Sequence, residues 1–231
     1  MEFRLLYDGP LRAERCESGA SARAKDKHLL RKHFHLQLKE LWSQHPDLKR
    51  QSETSYTVTT TPPFGYVEPV REIHSVAPKD VFDRLAIPYP PSAKTWIDHI
   101  ADDHQRCGGR FVPLVSIRGG FHCRLDILFL RRDDPGNIIS SGGDIDNRLK
   151  VLFDGLRMPS TVSELGSLPI EVDENPFFCL LEDDKLISAV TVTTDRLVTP
   201  LAPNEERNNV CLVIHVTVIN PSAIFAGNRL V

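Results

Sequence analysis

Gly143-Asp144-Ile145-Asp146-Asn147-Arg148-Leu149-Lys150-Val151-Leu152-Phe153-Asp154-Gly155-Leu156 changes its period part-way along. Asp144 and Asp146 alternate at period two, so an extended segment would point both to one side. From Asn147 onward the spacing is helical. Lys150 and Asp154 follow Asp146 at i+4 and i+8 on one helical face. Ile145, Leu149, Leu152, Phe153 and Leu156 supply the opposite, apolar face. Carboxylates and a lysine converging beside a packed helix suit a hard divalent cation held against a phosphate. An N-capped amphipathic helix with acidic residues at its positive end accounts for the same residues without any ligand.

The totals are those of a soluble globular chain. There are 231 residues, 41% hydrophobic and 26% charged, with a formal net charge of −3. No apolar run approaches the roughly 20 residues of a membrane span, so no membrane association is expected. Met1 to Asp8 carries charge too early for a signal peptide. Five cysteines without a C-x-x-C point to reduced thiols and a cytoplasmic setting. The charge is unevenly spread. Arg23 to Arg50 holds eight Lys/Arg against three Asp/Glu, while Glu171 to Asp184 holds six acidic residues and no basic one. The expectation is one end that meets anions and another that meets cations.

Upstream of the opening stretch, Phe3 to Tyr7 reads as a strand ended by Asp8-Gly9-Pro10. Lys25 to Ser43 reads as a helix closed by Pro46, with Leu30, Phe34, Leu38, Leu41 and Trp42 as its apolar stripe. His28, Lys32, His35 and Lys39 line a different face, read either as phosphate contacts or as a solvated surface. Gln51 to Gly109 contains seven of the seventeen prolines between Pro62 and Pro91. It reads as a surface insertion or extended wrap with one short helix near Trp96 to His104. His99, His104 and Cys107 raise the question of zinc, but their spacing fits no standard module, and ordinary polar roles are expected. Arg110 to Leu130 reads as a β-hairpin turning at Gly119-Gly120. Arg131 and Arg132 then precede the carboxylate pair, either gripping a phosphodiester or capping the strand end.

Downstream, Met158 to Asn175 is irregular. Phe177 to Leu181 leads into Glu182-Asp183-Asp184, followed by strands over Lys185 to Thr194 and Val210 to Ile219. His215, alone in an apolar strand, is expected to be a satisfied core histidine. The acidic residues at element edges would repel one another unless a cation were bound. Bringing Asp144, Asp146 and Asp184 together would therefore create a site for Mg²⁺. The fold class expected is α+β, a mixed four- to five-stranded sheet flanked by two main helices.

D-x-D-N-x-x-K-x-x-x-D-x-L, here Asp144, Asp146, Asn147, Lys150, Asp154 and Leu156, followed by Asp183-Asp184 at the head of a strand, resembles the RusA-type Holliday-junction resolvases. The likeness is good over about Arg124 to Ile219 and compatible over Phe3 to Trp42. It implies a single RusA-like nuclease domain over 1–231, with insertions at about 51–109 and 158–176. It implies an endonuclease dependent on Mg²⁺, with Mn²⁺ as a substitute, working as a homodimer on four-way DNA junctions. Asp144, Asp146, Asp183 and Asp184 would be metal ligands and Lys150 the catalytic lysine, with Asn147 and Asp154 in support. His28, Lys32, His35, Lys39, Arg131 and Arg132 are the basic residues expected to meet the nucleic acid. A symmetric junction offers two equivalent strands, which suits a two-fold dimer. The chain is longer and more acidic than is typical of the family, and its insertions leave other readings in place. These are another branched DNA or an RNA substrate, in a phage-related or defence role, or a binding module without catalysis.

Overall fold

The computed structural model describes residues 1–12, 20–61, 70–132, 145–198 and 209–220. Strand β1 (Glu2–Pro10) is followed by the long helix α1 (Ala20–Gln44) and the short α2 (Pro46–Glu53). Next come β2 (Ser55–Thr61), β3 (Val70–Val76), α3 (Lys79–Leu85), β4 (Lys94–Thr95), α4 (Trp96–Asp103) and β5 (Gln105–Arg106). The remainder is β6 (Gly109–Val115), β7 (His122–Arg131), α5 (Ile145–Leu156), β8 (Phe177–Leu181), β9 (Ile187–Arg196) and β10 (Asn209–Ile219). The class is α+β.

The largest sheet has the order β1-β10-β7-β9. Its first two pairings are antiparallel and β7–β9 is parallel, so the sheet is mixed. Leu125, Ile127 and Phe129 of β7 alternate inward with Val210, Leu212, Ile214 and Val216 of β10. Helices α1 and α5 pack against each other. Leu30, Phe34, Leu38 and Trp42 of α1 join Val151, Leu152 and Leu156 of α5 in the core that the sheet faces. Gly155 permits the close crossing, since a Cβ there would lie 2.6 Å from Leu30 Cδ2 and 2.8 Å from its Cγ.

Several expectations change. β6 and β7 flank the turn at Gly119-Gly120 but are not a hairpin: β6 pairs with β5 and β8, and β7 with β10 and β9. β6 is buried along nearly its whole length, which suits a strand covered on both faces rather than half a two-stranded ribbon. β1 continues through Asp8-Gly9-Pro10, with Pro10 opposite Asn209; an edge strand can accommodate a residue lacking a donor. Pro46 both closes α1 and opens α2. The proline-rich stretch is no bare wrap, because Thr-rich β2 pairs with β3 and β4 in a small sheet of its own. The expected helix near Trp96 is α4. His215 is not in the core. It falls on the outward register of β10, 3.5 Å from Glu2 and 3.9 Å from Asp126. Among the described residues no helix is long and apolar enough to cross a membrane.

Candidate functional site

Helix α5 presents two chemically different faces. Asn147, Arg148, Val151, Leu152, Gly155 and Leu156 are buried, whereas Asp146 and Lys150, one turn apart, are exposed. Asp146 sits in the first turn, where the helix dipole favours a carboxylate. Asp144 lies outside the described residues.

The end of α5 is stitched to the strand that delivers the Asp-Asp pair. Met158 N–H donates to Leu181 O at 2.9 Å, and Arg157 bridges Leu181 in parallel. Two residues further on, Asp183 caps a 3-10 turn over Asp184–Leu186, its Oδ1 accepting from Lys185 N–H at 3.1 Å. That hydrogen bond leads the causes that lower the Asp183 pKa, with Lys185 and Arg157 adding positive potential. Asp183 is thus held as a carboxylate. Asp184 is exposed at the start of the turn, and Leu186 at its end is buried in the same core as Leu152 and Leu156. Cα atoms of α5 and of this turn come within 8 Å of one another. Asp146 and Lys150 on the helix and Asp183 and Asp184 on the turn therefore belong to adjoining elements. Among the described residues no group of three or more His, Cys, Asp or Glu could hold a metal ion, and the fourth expected carboxylate, Asp144, is not one of them.

Asp154 does not share the exposed face. Lys27 Nζ approaches its Oδ2 at 2.7 Å and Arg157 its Oδ1 at 2.8 Å. Burial disfavours its charge, but these two cations outweigh it and lower the pKa. Arg31, 1% exposed, donates to the backbone oxygens of Arg157 (2.9 Å) and Asp154 (2.7 Å). It satisfies carbonyls that the end of α5 would otherwise leave bare. Lys27, Arg31 and Arg157 were not among the expected site residues. The i, i+3 spacing of Asp154 and Arg157 was the one local signal of this network.

The basic stripe of α1 is corrected more sharply. His28 and His35 are 0% and 1% exposed, stacked near Phe177, and out of reach of any phosphate in this arrangement. Lys32 pairs with Glu174 at 2.7 Å, and Lys39 donates to Asp173 O at 3.2 Å. The cationic and anionic segments read from the sequence thus face each other instead of forming two poles. Arg131 is buried and Arg132 half-buried at the end of β7, so Arg131 is not a surface phosphate clamp. Glu182, beside the Asp-Asp pair, turns away: its Oε2 accepts from Ile117 N–H at 2.8 Å and lies 3.5 Å from His104. His99 and Cys107 make separate contacts, with Tyr56 O at 3.0 Å and Pro159 O at 3.8 Å. No known family, curated protein or solved structure matches the chain.

Proposed function

We propose that the protein is a RusA-type, Mg²⁺-dependent endonuclease that cuts branched DNA, with the four-way junction as its principal substrate. The adjoining of α5, with Asp146 and Lys150 on its exposed face, to the turn bearing Asp183 and Asp184 carries this reading. The donor set is all carboxylate oxygen, with Asp183 kept ionised, and this fits a hard divalent cation rather than a thiophilic one. By the resemblance Asp144, Asp146, Asp183 and Asp184 would hold it; the three described ones do not by themselves gather into a group that could hold a metal ion, so the site depends on Asp144 and on a closer approach of α5 to the turn. Such a cation supplies Lewis-acid polarisation of the phosphodiester and a means of deprotonating water at neutral pH. Lys150 offers its ammonium to the phosphoryl oxygens as charge builds there. Arg31 and the Asp154 network fix the far end of α5, the helix that carries Lys150.

The reading includes a homodimer matched to the two equivalent strands of a junction. It also includes a cytoplasmic location, which the free thiols of Cys107, Cys123, Cys179 and Cys211 support. Asp146→Asn and Asp184→Asn are expected to lower cleavage of a labelled four-way junction by at least about a hundredfold, with junction binding by gel shift retained. Wild-type protein that nicks no junction, flap or fork in Mg²⁺ or Mn²⁺ overturns the proposal.

A further inference from the structure

The two edges of the main sheet are built differently. β1 closes one of them, and side chains of α1 occupy its open ladder. Leu6 N–H donates to Gln37 Oε1 at 2.9 Å, Leu6 O accepts from Gln37 Nε2 at 2.6 Å, and His33 Nε2 lies 2.9 Å from the same oxygen. Glu2, Arg4 and Asp8 add charge along the strand, and Pro10 ends it. Such features guard an edge against a second strand.

β9 forms the other edge and pairs only with β7. From Ile187 to Thr194 it reads Ile-Ser-Ala-Val-Thr-Val-Thr-Thr, without charge, proline or glycine. Its register shift falls opposite Cys123 and Arg124, so the run from Ala189 onward is regular. Ala189, Val190, Thr191 and Thr193 are exposed. Among the described residues nothing takes up the N–H and C=O groups on the outer side of Ala189 to Thr194. Val190 marks the gap. It lies opposite Leu125, on the face that packs the core, yet it is 41% exposed. A cross-strand neighbour would cover it.

Charge selects that neighbour. Lys185 precedes the strand and Asp195 stands near its end, equally far from Val190. Lys185 has a loose contact with Asp183, 3.7 Å, and Asp195 makes no ion pair among the described residues. Two copies of β9 related by a two-fold axis run antiparallel, with one residue facing its own counterpart on the axis. Centred on Val190, the pairing brings Lys185 of each copy level with Asp195 of the other. Centred one residue earlier, it opposes Asp183 to Asp195; one residue later, it leaves Lys185 level with Leu197.

We propose that a second copy of this chain docks on β9, edge to edge and antiparallel about Val190, joining the two four-stranded sheets into one. The Asp183–Asp184 turns, each at the head of its own β9, then lie at opposite ends of the paired strands. This gives the homodimer of the functional reading its surface, but it rests on the edge alone and not on metal or cleavage.

Sedimentation equilibrium of the full chain should show a reversible monomer–dimer equilibrium. Val190→Lys sets two ammonium groups face to face at the axis and should weaken the dimer about tenfold or more. Lys185→Asp and Asp195→Lys should each weaken it about three- to tenfold, and the double variant, which swaps the charges, should restore it. Circular dichroism establishes that each variant is folded. A wild type that stays monomeric up to its solubility limit overturns the proposal. A dimer that Val190→Lys leaves intact, or that the charge swap fails to restore, also overturns it, while leaving the homodimer itself standing on another surface. None of these readouts uses cleavage, so failure here is distinct from failure of the nuclease reading.

Discussion

His35 accepts a hydrogen bond from Phe178 N–H on Nδ1 at 2.8 Å while its ring lies 4.4 Å from that of Phe177. A proton on Nδ1 would break that bond and leave a charge in a buried, poorly solvated position. His28 Nδ1 faces Arg31 Nη1 at 3.3 Å, and a guanidinium can only donate. Burial above all lowers both imidazoles from 6.5 to about 4, with Arg31 and Lys32 adding to the effect at His28. The unfolded chain therefore takes up protons first as pH falls through 6.5, and the folded chain only near 4. Stability is fully present above the unfolded value and declines across that interval. At pH 5 the loss relative to pH 7 should be about 2 kcal/mol per histidine, measured by urea unfolding at the two pH values. Equal stability at pH 5 and pH 7 would contradict burial of the neutral rings. The positions of these histidines on α1 were legible in the sequence, but their environment was not. The i, i+4, i+7 spacing marks a stripe, and only the packing of β8 on α1 turns that stripe inward.

Among the elements, α5 has the strictest requirements. Its buried face meets α1 at Gly155, and its end is capped by a buried arginine from that same helix. Gly155→Val would drive a branched side chain into Leu30, whose Cγ and Cβ are constrained by the α1 backbone. The change should cost about 1–3 kcal/mol in urea unfolding. An unchanged midpoint would mean that the helices are not in close contact there. The helix itself, its apolar face and the i, i+4 spacing of Asp146 and Lys150 could all be read from residues 145–156. Asp154 could not. It shares that spacing but is drawn away by Lys27, a residue more than a hundred positions earlier, and by Arg157.

At the scale of the molecule, the proline-rich segment 51–109 shares the main core. Ala101 of α4 is 0% exposed and belongs to the same buried cluster as Val112, Leu114 and the inward face of β10. Trp96 lies in that segment and Trp42 outside it, with both lining one cavity. Urea unfolding followed by tryptophan emission and by far-ultraviolet circular dichroism should therefore give coincident transitions. An earlier emission transition would mark that segment as a unit that unfolds separately. The pairing of Lys32 and Lys39 with the Glu171–Glu174 segment has a related consequence. The net surface field is weaker than the segment charges suggest, because Lys32 is neutralised by Glu174, while Lys39 rests on the backbone carbonyl of Asp173.

The sequence by itself determined what depends on near neighbours. The α+β class, the apolar stripe of α1, the amphipathic α5, the late β-branched strands and the Asp146–Lys150 spacing all follow from periodicity and turn chemistry over a few residues. Tertiary structure decided which strands are partners, so that β6 and β7, adjacent in the chain, lie in different sheets. It also decided which charges are spent on structure, as in the burial of His28 and His35 and the capture of Asp154 and Lys32. The physical reason is that burial and ion pairing depend on distance in space. Local propensity carries no record of which distant segment will supply the opposite charge or the covering ring.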